Sequence, residues 1–215
     1  DYFETLSKNI SEDFDIIEFN YCTLEGDKKN NSNISDSKFP YFLPVNVWTK
    51  CYKRELFTII KFPKGLYFED FAVTPYFVNV YKVKKIDNVL YNYLVRPGSI
   101  ITSGKKVTDI AKATNYLFSL FEKTEKKINN YDIFLMGVYY HVFICRFGLL
   151  FNFPFFVFIK LRKEFTVVFN NNNLRKPFAL LKANNFSLKS KIKILFRMYC
   201  PSWLLYSLRK MKIGV

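Results

Sequence analysis

The stretch Phe62-Pro63-Lys64-Gly65-Leu66-Tyr67-Phe68-Glu69-Asp70, followed by Thr74-Pro75, decides how the chain is read. Pro63 and Gly65 punctuate a turn, and the run Tyr67 to Asp70 reads as extended. Thr74 reads as a helix cap with Pro75 at the first helical position, where a missing N–H costs nothing. The following helix buries Phe77 and Val80. Two adjacent carboxylates then stand just ahead of a helix, near its positive end. On an extended backbone neighbours point opposite ways, so Glu69 and Asp70 read as separate groups and not as a glycosidase-type pair. An acidic helix start and a chemically active carboxylate are both open readings.

Before this stretch, Phe3, Leu6 and Ile10 have the spacing of one helical face. Phe14 to Leu24, rich in Ile, Phe and Tyr and closed by Glu25-Gly26-Asp27, reads as a buried strand. Lys28 to Lys38 offers almost nothing to bury and reads as a mobile surface loop. Asn46-Val47-Trp48-Thr49-Lys50-Cys51-Tyr52-Lys53-Arg54 mixes a large aromatic with cations and leads into a short helix. Beyond the helix, Ile86 to Val95 alternates as a strand with Val89, Tyr91, Tyr93 and Val95 on one face, ended by the turn Arg96-Pro97-Gly98-Ser99. The remainder reads as helical, with Ile110, Leu117, Leu120 and Phe121 on one face and Tyr131 to Leu150 as a second apolar helix. His141, Arg146, Asn152 and Pro154 interrupt the apolar region 133–159, which favours a buried or interfacial helix pair over a membrane span.

With 215 residues, half of them apolar and one in five aromatic, the chain can bury a real core. Its formal charge of +15 attracts phosphates, whether on nucleic acid, lipid or nucleotide. No acid follows Glu164, whereas ten cations run from Arg175 to Lys212. Cys22, Cys51, Cys145 and Cys200 are scattered and His141 is the sole histidine, so a zinc site is not expected. Unpaired cysteines and the absence of a signal peptide point to the cytoplasm. The opening Asp1-Tyr2-Phe3 carries no initiator methionine and reads as the start of a fragment.

Three motifs in order, Val47 to Arg54, Phe62 to Asp70, and Leu90-Tyr91-Asn92-Tyr93-Leu94-Val95-Arg96-Pro97-Gly98-Ser99-Ile100, resemble the second half of family 2 glycosyltransferases with the GT-A fold. Asp1-Tyr2-Phe3 resembles the residues directly after that family's metal-binding Asp-x-Asp motif. The resemblance covers residues 1 to about 105, the usual scale of a domain. It implies an α/β fold, with a partial, Rossmann-like GT-A domain over 1–105 and a basic helical region over 106–215.

The resemblance further implies an inverting transfer from a nucleotide sugar, most simply a UDP-sugar, to a hydroxyl of a glycan or lipid-linked acceptor in bacterial surface-polysaccharide assembly. Asp70 would be the general base, since an attacking hydroxyl becomes acidic as its bond forms. Glu69 would orient the acceptor or brace the loop. Trp48, which would otherwise be a core residue, would stack on a sugar, and Lys50 matches the family's cation. Arg96 and Ser99 would hold the diphosphate unless they are simply a Pro-Gly turn. Mg²⁺ or Mn²⁺ is implied for the complete enzyme, with ligands before Asp1 except for Asp1 itself at the edge, so the fragment alone is expected to be inactive.

In the basic tail, Leu188, Ile192, Leu195, Phe196 and Tyr199 fall on one helical face and Lys189, Lys193 and Arg197 on the opposite one. Ser202 can cap a second helix carrying Trp203, Leu204, Tyr206 and Leu208. This suits a helix lying on the anionic inner face of the cell membrane, or one packed on the main domain. A basic nucleic-acid-binding module and a non-enzymatic membrane-surface protein are the alternatives. Nucleic acid is not expected, because no zinc finger, RNP-type strand or helix-turn-helix is legible.

Overall fold

The computed structural model describes residues 1–25, 28–32, 45–96, 106–128, 131–171 and 187–211. Its organising element is β1 (Ile16–Glu25), whose run of Ile, Phe, Tyr and Cys is buried on both faces over most of its length. β4 (Val83–Leu94) pairs with it in parallel from end to end. That leaves one free edge, which β3 (Lys50–Tyr52) and β2 (Lys28–Ser32) share, both antiparallel. The protein is thus a mixed α/β molecule with a small four-stranded sheet. β2 corrects the expectation of a loop beginning at Lys28. Backbone hydrogen bonds alone suffice to add an edge strand, so its polar sequence carries no apolar signal. Residues 33–44 lie outside the described set.

The β1–β4 register slips beside Asn20, which faces Val89 while Phe19 faces Ile86. The bulge leaves a carbonyl off the ladder, and the buried Asn20 side chain donates to it, at Asp87 O, 3.0 Å away. One sheet face meets the short helix α1 (Tyr2–Ser7), which contributes Leu6 to a small cluster with Ile17, Phe19 and Ile86. Phe3 does not join it: this side chain is 78% exposed, and Ile10 is also exposed, so the expected one-sided burial of this segment reduces to Leu6.

The other face carries the main core. After α2 (Leu56–Ile59), the helix α3 (Glu69–Val80) buries every residue from Phe71 to Phe77. It begins five residues before the Thr74-Pro75 signal, which is a correction with a local cause. Phe68 adopts the left-handed conformation (φ 63°) at the cap position and turns the chain, and within the first turn Asp70 accepts from Phe71 N–H at 2.7 Å. Pro75 consequently lies inside the helix, where it deprives the Phe71 carbonyl of its usual donor. Burial on all sides by Tyr76, Phe77, Phe71 and their neighbours offsets that loss.

α4 (Asp109–Thr124) packs along α3. α5 (Tyr131–Tyr139) then widens into a π-helical turn over Tyr140–Arg146 and tightens into a 3₁₀ turn over Phe147–Asn152. Ile133–Asn152 is long and apolar enough to cross a bilayer by length and composition, yet 61% of that window is buried in the fold. α6 (Phe155–Asn171), α7 (Leu188–Tyr199) and α8 (Ser202–Lys210) complete the molecule. The core they form with α3 and α4 runs from Ile16 to Leu205 and draws on both sides of residue 105.

Candidate functional site

Asp70 occupies the second position of α3, in the first turn and not ahead of it, as the earlier start of the helix requires. Glu69, exposed beside it, is therefore about a hundred degrees around a helix and not on the opposite face of an extended strand. The two carboxylates sense each other. Burial pushes the Asp70 carboxyl up to about 6; the Phe71 N–H opposes this, Glu69 adds to it, and the charge of Arg146 opposes it again. A helix N-terminus ordinarily stabilises a carboxylate. Here desolvation outweighs it.

Arg146 and His141 come from the distant π-helical turn. Residues five apart on an α-helix lie about 140° apart; the wider turn narrows that angle, and Arg146 Nε approaches His141 Nε2 at 3.5 Å. Such widened turns are frequent at functional sites. The Arg146 guanidinium lies 5.4 Å from the Phe68 ring centre, and the His141 ring stacks on Phe71 at 4.5 Å and 10°. Both anchoring phenyl rings flank the Glu69-Asp70 pair in sequence. Burial, reinforced by Arg146, lowers His141 to about 3, so it is neutral and accepts through Nε2.

Lys50 lies on the sheet side of this group. It sits directly across from Glu18 on β1, with Lys85 across on β4. Lys50 Nζ is 2.9 Å from Glu18 Oε1, and Lys85 Nζ is 3.6 Å from Glu18 Oε2. Lys50 also donates to Asn46 O and Thr49 Oγ1 at 2.9 and 3.1 Å. Its side chain is wholly enclosed. Burial lowers its pKa against the upward pull of Glu18 and, more weakly, of Asp70. In this structure Lys50 serves as an internal counter-charge. The Glu18 oxygens are held by charge, with no well-directed hydrogen bond.

Trp48 is half-buried on the sheet, stacked on Tyr93 (5.0 Å, 14°), tilted against Tyr91 (4.7 Å) and edge-on to Tyr21 (4.7 Å). The alternation expected of β4 puts Tyr91 and Tyr93 on this one face. Arg96 follows β4 and is exposed, and Ser99 lies outside the described residues. Asp1 caps α1, accepting from Phe3 N–H at 3.0 Å. Among the described residues no three His, Cys, Asp or Glu side chains are placed to hold a metal.

Of the expected residues, Glu69, Asp70 and Lys50 share one neighbourhood, and Trp48 stands in the turn that leads into Lys50. Sequence reasoning missed Glu18 and Arg146. Each carried a signal: Glu18 is the one charge inside the apolar run Ile16 to Leu24, and Arg146 a lone cation in an apolar helix. Compared with family models, curated proteins and solved structures, the chain matches none.

Proposed function

We propose that the chain is the acceptor-side part of an inverting glycosyltransferase of the GT-A kind, in which Asp70 takes the proton of the acceptor hydroxyl. The observation that carries this reading is the Asp70 carboxyl itself, fixed in the first turn of α3 and raised to about 6 by burial. A carboxyl near 4 is a feeble base, whereas one near 6 is a stronger base that is still ionised at neutral pH. Arg146 supplies a nearby positive charge that keeps the ionised form accessible. Glu69, exposed and adjacent, is free to orient a sugar hydroxyl. The Trp48 cluster offers aromatic surface beside the sheet, of the kind that stacks on a pyranose face. Transfer from a nucleotide sugar to a glycan or lipid-linked hydroxyl rests on the motif resemblance.

The test is made in the natural protein with donor and acceptor in hand. Asp70→Asn keeps an oxygen for the Phe71 N–H and removes the basic one, so turnover should fall by about 10²- to 10⁴-fold with substrate binding retained. Glu69→Gln should cost less. Near-normal turnover in a folded Asp70→Asn protein would refute the assignment.

A further inference from the structure

Burial on α7 runs partly against its composition, and α8 leaves its largest apolar side chain outside. On α7, Leu188, Ile192 and Tyr199 face solvent, as does Trp203 on α8, each more than half exposed. Lys191 and Arg197 face inward instead. Arg197 donates to the carbonyls of Phe143 and Ile144 in the π-helical turn, while Arg162 from α6 donates to the Arg197, Met198 and Cys200 carbonyls and to Ser202 Oγ. α7 is thereby fixed with Leu188, Ile192 and Tyr199 outward, while Ile194 on α7 and Leu205 on α8 are buried in the core. This corrects the expected cationic stripe, because Arg197 belongs to the interior. A helix recruited only to complete a core would be turned about half a revolution from this orientation.

The cations left outside are Lys189, Arg209 and Lys210, with Lys193 half-buried. Burial first, then the charges of Arg197, Lys189 and Arg209, lowers the Lys193 ammonium, which places these groups in one field. No acid follows Glu164 to neutralise it. Large apolar side chains bordered by uncompensated cations complement a surface that is oily within and anionic at its rim.

We infer that α7 and α8 dock on an anionic lipid bilayer, with Leu188, Ile192 and Trp203 entering the acyl boundary and Lys189, Lys193 and Lys210 meeting the lipid phosphates. A nucleic-acid backbone would use the cations but has no place for Leu188 and Ile192. This surface is independent of the transferase reading, and its test requires no substrate.

The full chain is sedimented with vesicles of phosphatidylcholine alone or with one-quarter phosphatidylglycerol. Binding should be confined largely to the anionic vesicles and should weaken about fivefold for each of Lys189→Gln, Lys193→Gln and Lys210→Gln. The double variant Leu188→Ser/Ile192→Ser, altered only at exposed positions and checked by circular dichroism, should lose tenfold or more. Tryptophan emission should shift to the blue on anionic vesicles in the native chain and not in Trp203→Phe. Equal binding to both vesicle types would overturn the inference. So would undiminished binding of the double serine variant, or lysine-dependent retention on RNA without vesicle binding.

Discussion

Asp70 ionises against its surroundings, and that has a thermodynamic sign. Its carboxyl stands at about 6 in the folded chain against 3.8 as the ordinary value. Between those limits the folded state keeps a proton that the unfolded chain releases, so stability falls as pH rises through the window. Above about pH 6 the full cost applies, on the order of 2 kcal/mol after allowance for partial exposure. Asp70→Asn should therefore raise the urea midpoint at pH 7.5, and the gain should vanish near pH 4; a loss at pH 7.5 would contradict the burial described. A carboxylate held at such a cost is what a poised base requires. The Glu69-Asp70 pair was legible in sequence because acids before a helix are a local pattern. The Glu18–Lys50–Lys85 group was not, because cross-strand neighbours on three strands have no local signature.

At the scale of elements, the long apolar and periodic segments were legible: β1, β4, α4 and the apolar course of α5 all follow from spacing. The start of α3 and the existence of β2 were not, since one depends on a left-handed Phe68 and the other on backbone pairing alone. The change of pitch after Tyr139 likewise has no proline or glycine at its start to announce it. The junction of α7 and α8 depends on a single buried side chain. Arg162 donates to three carbonyls and one hydroxyl there. Removing it leaves those carbonyls buried without donors, at about 3 kcal/mol or more. Arg162→Met should accordingly lower the denaturation midpoint and open the Cys200-Pro201 segment to limited proteolysis, whereas Lys160→Met, at an exposed position on the same helix, should change neither.

For the molecule as a whole, one apolar cluster joins Ile16 of the sheet to Phe71, Leu117, Phe143, Phe158, Ile194 and Leu205. Sheet and helices should then lose structure together. In Trp203→Phe, where Trp48 alone reports on the sheet, the fluorescence and far-ultraviolet dichroism transitions in urea should coincide; separated midpoints would show two cooperative units. The sheet also imposes an order of events on synthesis. β1 pairs in parallel with β4, which lies more than 60 residues later in the chain, so the most apolar strand must wait for its longest partner. During that interval the ribosome presents Ile16, Ile17, Phe19 and Tyr21 to other unfinished chains. Glu18, buried and neutralised at the end, is then a solvated charge in the middle of an aggregation-prone segment, and it is withdrawn only when Lys50 and Lys85 arrive together with the strands that carry them.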